Sequence, residues 1–319
     1  MRDSLKERCE LLTENYSVID RNFKWEYEVM HIVAANTFTS AGLKADPEKM
    51  KECKDMLAKK HGFFTSLRST TQLALISKMA IESDPAAYLE EVTAVYEKII
   101  EGKVFSSNYM VLPAMVICDQ HKADEADAII QKMKTIMEKM EKEHPLLTGS
   151  EDLTFAALMA MTAEDVDKMI EDMEGCFEIL KKKFPMHKNA VQGLCQVLAL
   201  SGNGTEEKCA KAVAIFDSLK EMGVKYGKTG ELAALGALVD VDMEAEEIAR
   251  EIMECSELLK KERNFGNLLL DEEYRSMFAA LLVVEEYALG KNGLYATTLG
   301  SSIAIEISDL LLTAFILLL

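Results

Sequence analysis

Proline and glycine are scarce in this chain, with 5 and 16 of 319 residues. That is about half their usual share and excludes collagen-like and low-complexity classes. Cations are also in deficit: 36 Lys and Arg face 54 Asp and Glu, for a net charge of −18. Phosphate neutralisation needs clustered cations, so nucleic-acid binding is not expected. Seven cysteines occur, but none shares a Cys-x-x-Cys spacing and the number is odd. They read as free, buried, reduced thiols. Five histidines show no His-Glu-x-x-His or related spacing, so no metal site is expected. Ser201-Gly-Asn-Gly-Thr205 is followed by no Gly-Lys-Ser/Thr and preceded by no strand pattern, which makes it a hairpin loop rather than a phosphate cradle. No cofactor is implied. The start, Met1-Arg-Asp-Ser-Leu-Lys-Glu, lacks the apolar stretch of a secretory signal, and a cytoplasmic location is expected.

What the chain does have is helical periodicity. Apolar residues step by three and four at Ile129/Ile130, Met133, Ile136/Met137 and Met140, and again at Met169/Ile170, Met173, Cys176/Phe177 and Leu180. That spacing builds one buried stripe on an amphipathic helix. No period-two run bounded by turn residues occurs, so the fold is predicted to be all-α. Between the amphipathic runs lie segments apolar on most faces, such as Leu153-Thr-Phe-Ala-Ala-Leu-Met-Ala and Leu232-Ala-Ala-Leu-Gly-Ala-Leu. Such helices are buried between neighbours, and their Ala and Gly permit close approach.

The alternation repeats. A bulky residue stands in the turn before each apolar segment, at Phe64, Phe105, Leu147, His187, Tyr226 and Phe265, at intervals of 41, 42, 40, 39 and 39 residues. About 40 residues is the length of one helical hairpin, so the expectation is an α/α superhelix, solenoid-like, of about six hairpins. The predicted organisation is an N-terminal helix over 1–19, a hairpin-repeat domain over 20–290 and an apolar C-terminal cap helix over 291–319. Asp46-Pro47 and Asp84-Pro85 predict helix starts, with proline at the first helical position after a capping acid. Thr162 and Thr205 are further expected caps. Pro113, inside an apolar segment, should kink a helix or mark its true start.

The polar cluster His144-Pro-Leu-Leu-Thr-Gly-Ser-Glu-Asp152 carries the candidate chemistry. His144 with Glu151 or Asp152 would form an acid–base pair. The competing reading makes Ser150 a helix cap, with Glu151 and Asp152 favourable to the helix dipole. Asp240-Val-Asp-Met-Glu-Ala-Glu-Glu has the charge of a calcium loop without its sixth-position glycine, and reads better as a helix N-terminus. Trp25 is either a partner anchor or a packing residue of the first repeat. The tail Ile303–Leu319 is apolar but interrupted by Glu306 and Asp309 and short for a membrane span. A terminal cap or self-association helix fits it better than membrane contact.

Phe23-Lys-Trp25, Gly62-Phe-Phe-Thr-Ser-Leu-Arg68, His144 to Leu158 and Gln192-Gly-Leu-Cys-Gln-Val-Leu-Ala-Leu200 resemble the bacterial family catalogued as domain of unknown function 4003, over roughly residues 15 to 290. The resemblance implies an all-helical bacterial protein and brings no catalytic residues with it. Candidate binding residues are therefore His144, Thr148, Ser150, Glu151 and Asp152, with Trp25 and Arg68 nearer the N-terminus. The expected role is a non-enzymatic scaffold for a protein or peptide, basic in view of the chain's acidity. An enzyme with a pocket near His144 and a membrane-peripheral protein docked by its tail are the alternatives, and a homo-oligomer is compatible with any of them.

Overall fold

The computed structural model describes residues 1–24, 26–60, 71–101, 110–261, 271–288 and 298–305. These residues are helical or in connecting turns, with no strand among them. Fourteen named helices run α1 (Asp3–Asn22), α2 (Glu28–Ser40), α3 (Pro47–Lys59), α4 (Thr71–Ile81), α5 (Pro85–Glu101), α6 (Val111–Asp119), α7 (Ala126–Glu143), α8 (Leu153–Thr162), α9 (Val166–Lys183), α10 (Lys188–Leu198), α11 (Thr205–Glu221), α12 (Leu232–Ala237), α13 (Ala245–Leu259) and α14 (Glu272–Ala288). A further helical segment covers 298–305.

Local chemistry sets several of these boundaries. Asp46 accepts from the backbone N–H groups of Glu48 and Lys49 ahead of Pro47, and Asp84 accepts from Ala87 ahead of Pro85, as the Asp-Pro pairs predict. Pro113 is the third residue of α6, where its missing N–H belongs to the free first turn, so it marks the start and makes no kink. Two expected caps are corrected. Asp165, not Thr162, caps α9 by accepting from Asp167 and Lys168, while Thr162 ends α8 and bonds back to Leu158. Thr205 is the first residue of α11, and its hydroxyl donates to Asp172 on α9.

The even-numbered helices are apolar and buried, and the odd-numbered ones bury one stripe each. In α8 every residue from Leu153 to Ala160 is buried, whereas α7 buries Ile129, Ile130, Met133, Ile136, Met137 and Met140 along one face. Each helix packs on the next member of its own set and on its hairpin partner: α2 on α4, α6 on α8, α10 on α12, and α9 on α11. All seven cysteines are buried and free.

Two features depart from an open six-hairpin array. Glu28–Ser40 is a further apolar helix, paired with α1, which makes seven hairpins among the described residues. And α1 packs against α13 and α14, so the first hairpin meets the last. Polar contacts fasten this seam: the Met1 amino group binds Glu254, and Arg8 reaches Glu285 and Glu286 on α14. Among the described residues the first hairpin and the last are therefore in contact.

Segment 298–305 lies across the apolar set. Gln120, after α6, donates to Thr298 at 2.7 Å, and Ser301, Ser302 and Ile305 share one small void with Lys78, Met115 and Thr154. Ile303 is fully buried. The start of the apolar tail is therefore interior, while 306–319 lies outside the described residues.

Candidate functional site

The cluster picked out by sequence is split by the structure. His144 caps the end of α7 and its Nε2 lies 2.8 Å from Glu174 on α9, with its ring against Phe177 at 4.3 Å between centroids. His144 is thus bonded to Glu174 rather than to Glu151 or Asp152. Asp152 turns inward, where it accepts from Gln196 at 2.6 Å and from the Gly149 backbone at 2.8 Å. Burial pushes its carboxyl up to about 6, with both hydrogen bonds opposing the shift. Thr148 accepts from Gln192 at 3.2 Å. Ser150 opens a short 3₁₀ turn over Ser150–Asp152 and puts no side-chain cap on α8. These bonds tie the α7–α8 turn to α9 and α10. Trp25 and Arg68, together with Phe64, Phe105 and Phe265, lie outside the described residues. Among the described residues no group of three His, Cys, Asp or Glu side chains is placed to hold a metal ion.

A different place has the shape of a site. The C-terminal ends of α2, α4 and α6 converge on a solvent-open cavity of about 570 Å³, bounded on one side by Thr298 and Ser301. Each apolar helix ends here because its apolar run ends: Ser40 closes α2, Glu82 follows α4 and Asp119 closes α6. Helix C-termini carry unpaired carbonyl groups and about half a negative charge each. Glu82, Asp84, Glu91 and Asp119 add carboxylates, against one lysine, Lys78, and the imidazole of His121 among the described residues.

That lysine is already committed. Lys78 Nζ lies 2.7 Å from Asp119 Oδ2, and both side chains are more than nine-tenths buried. The Tyr88 hydroxyl donates to Asp119 Oδ1 at 2.9 Å, and burial beside that carboxylate raises the phenol well above its usual range. Asp119 is thereby neutralised and held, which leaves Glu82, Asp84 and Glu91 to set the sign of the cavity. The Ser301 hydroxyl, 4% exposed as a residue, lines the cavity without a hydrogen-bond partner among the described residues. The Cys118 thiol also borders it and is pushed up by burial and by Glu91, so it stays protonated and is a poor nucleophile.

Sequence reasoning read Asp84 as a helix cap and Cys118 as a buried thiol, and assigned none of these residues to a site. Lys78, Tyr88 and Asp119 are separated by 10 and 31 positions in turn, so only the stacking of α4, α5 and α6 brings them together. The available signal was an acid or lysine set inside or at the end of otherwise apolar segments.

Fold and cavity together describe an all-helical protein with a preformed, acid-rimmed pocket at the ends of three buried helices. The family model described as Protein of unknown function (DUF4003) matches residues 15–308, and the chain belongs to that family. Neither a curated protein nor a solved structure matches the chain.

Proposed function

We propose that this chain is a non-enzymatic binding protein whose cavity receives the cationic side chain of a basic peptide or protein partner. The observation that carries the reading is the convergence of three helix C-termini with Glu82, Asp84 and Glu91 on one open cavity, whose one lysine among the described residues is already paired. A primary ammonium or guanidinium group is the complement of such a field. Ser301 adds a buried hydroxyl able to accept from it.

The same reading treats the hairpins as repeats of an α/α superhelix closed on itself. Its support is the spacing of the apolar helices α2, α4, α6, α8, α10, α12 and α14, which begin 43, 40, 42, 35, 44 and 40 residues apart. On this reading, segment 298–305, buried against residues of α4, α6 and α8, takes up part of the face that an open array would offer to a peptide. That directs the partner to the cavity at the helix ends rather than through the middle. Cytoplasmic location belongs to this reading and is supported by seven unpaired, buried thiols. No helix among the described residues is long and apolar enough to cross a membrane.

Fluorescence anisotropy with labelled hexalysine tests the proposal. Glu82→Gln/Glu91→Gln should weaken binding by about tenfold, equivalent to about 1.4 kcal/mol. Glu206→Gln/Glu207→Gln, the same charge change on the exposed first turn of α11, should leave it within about twofold of wild type, since distant exposed charges are screened by salt. Equal losses in the two variants would show attraction to net charge alone and sink the cavity.

A further inference from the structure

The acidity of the chain is not evenly spread. Residues 181–188, Lys-Lys-Lys-Phe-Pro-Met-His-Lys, hold four lysines and no acid, and residues 220–228, Lys-Glu-Met-Gly-Val-Lys-Tyr-Gly-Lys, hold three lysines and one acid. The first stretch joins α9 to α10 and the second follows α11, and packing of those helices sets the two turns side by side. Gly223, at φ 78°, makes the reversal that folds Lys220 and Lys228 onto one side of the second turn.

Between the turns run two adjoining cavities of about 320 and 440 Å³ that share His187, Phe216, Lys220 and Lys228 on their walls. Their floor is apolar, with Phe184 and Phe216 in edge contact at 5.0 Å and Tyr226 buried beside them. Met186 stands at the lip, 87% exposed. The cations differ in availability. Lys183 is held by Asp217 through two 2.7 Å bonds, but Lys220, Lys225 and Lys228 have no carboxylate in ion-pair range among the described residues. Lys228 instead lies over the Phe216 ring, 5.9 Å from its centre. At the far end Glu272 accepts from the Lys225 backbone and Glu273 faces Lys225 and Lys228, so the positive field is strongest toward Lys220 and His187. Here too α10 begins, after His187, whose side chain caps none of the helix's free N–H groups.

We propose that this groove is a binding site for a phosphate group, seated between Lys220, Lys228 and the start of α10. A compact ammonium on a flexible stem is a well-suited partner for phosphate, and two of them with the positive end of a helix meet a multiply charged anion. The rest of the molecule repels anions through its net charge of −18, so an anion that binds does so through these local cations. The site lies on other helices than the acidic cavity and does not depend on it.

Calorimetric titration of the full chain with inorganic pyrophosphate, at a constant ionic strength of about 0.1 M, tests the site, because the Debye length of about 10 Å then silences remote charges. One binding event is expected, weakened at least about tenfold by Lys220→Gln/Lys228→Gln and by raised salt. Lys44→Gln/Lys51→Gln, exposed lysines on another part of the surface, should leave it unchanged. All four positions are exposed, so the variants should unfold as wild type does. Absence of binding in the millimolar range overturns the proposal, as does equal affinity of the groove variant. Citrate binding as tightly as pyrophosphate overturns the assignment to phosphate.

Discussion

Ser40 Oγ donates a 2.6 Å hydrogen bond to Glu285 Oε1 across 245 positions of sequence. With Arg8 on the other carboxylate oxygen at 3.4 Å, this bond joins α1, α2 and α14 where the first and last hairpins meet. Glu285 is 1% exposed, and burial raises its carboxyl to about 7 against the pull of Ser40, Arg8, Asn36 and Lys78. A carboxyl whose native pKa lies above its unfolded value binds more protons when folded. Its contribution to stability is complete below about pH 4.5 and is lost as pH rises toward 7. Urea unfolding between pH 6 and 7.5 should show wild type losing stability at up to about 1.4 kcal/mol per pH unit from this group. Glu285→Gln should flatten that slope. The window lies above the Asp152 carboxyl, which titrates at about 6 and adds a similar slope at lower pH. Parallel pH dependences in the two proteins would show that Glu285 is ionised throughout.

The ion pair of Lys78 and Asp119 predicts a different pattern. Two buried charges stabilise each other but cost desolvation, so removing one leaves the other stranded. Lys78→Met alone should cost about 3–5 kcal/mol, while Lys78→Met/Asp119→Leu should recover most of that loss. Chemical denaturation of the single and double variants measures it. A double variant as damaged as the single one would mean that the pair is not compensated internally.

How much of this was legible in the sequence follows from the range of the interactions. The stripe through Ile129, Met133, Ile136 and Met140 is a local pattern, and those residues are buried as it requires. The Asp-Pro starts at 46–47 and 84–85 are equally local. Helix α2 escaped notice because His31, Asn36, Thr37 and Thr39 break its apolar run; all four are buried, and His31 is satisfied by Asp20 and the Phe23 carbonyl. Its marker was nevertheless present, since Phe23 precedes Phe64 by 41 residues. Contact between the first and last hairpins had no local signal, because Ser40 and Glu285 are ordinary polar residues until the two ends meet. The same holds for the candidate sites. His144 stood out as a histidine among polar neighbours, whereas Lys78 acquires its meaning only from the helix packed beside it.

The tail supplies a third prediction. Ile303 is fully buried within segment 298–305, against elements far away in sequence. Ile303→Ala should cost about 2–5 kcal/mol, as for other large-to-small changes in a packed core. Equilibrium unfolding in urea reads this directly. A loss below about 0.5 kcal/mol, the size of ordinary surface substitutions, would show that the segment is not seated among the apolar helices.

A close approach of two helices in the core gives the fourth. Gly236 lies on α12, where a Cβ would stand 2.9 Å from Val197 Cγ1 and 3.2 Å from Leu194 Cδ1 on α10. Alanine raises helix propensity over glycine by about 1 kcal/mol, and that gain acts against the contact. Overpacking in a close-packed core costs about 1–3 kcal/mol, because α10 and α12 must separate or Val197 must leave its rotamer. Gly236→Ala is therefore expected to destabilise on balance. Combining it with Val197→Ala should remove the clash and return the propensity gain, so that the two substitutions together cost less than the sum of each alone. A Gly236→Ala protein more stable than wild type, or strict additivity in the double variant, would mean that α10 and α12 have room to spare and that glycine is not what sets their separation.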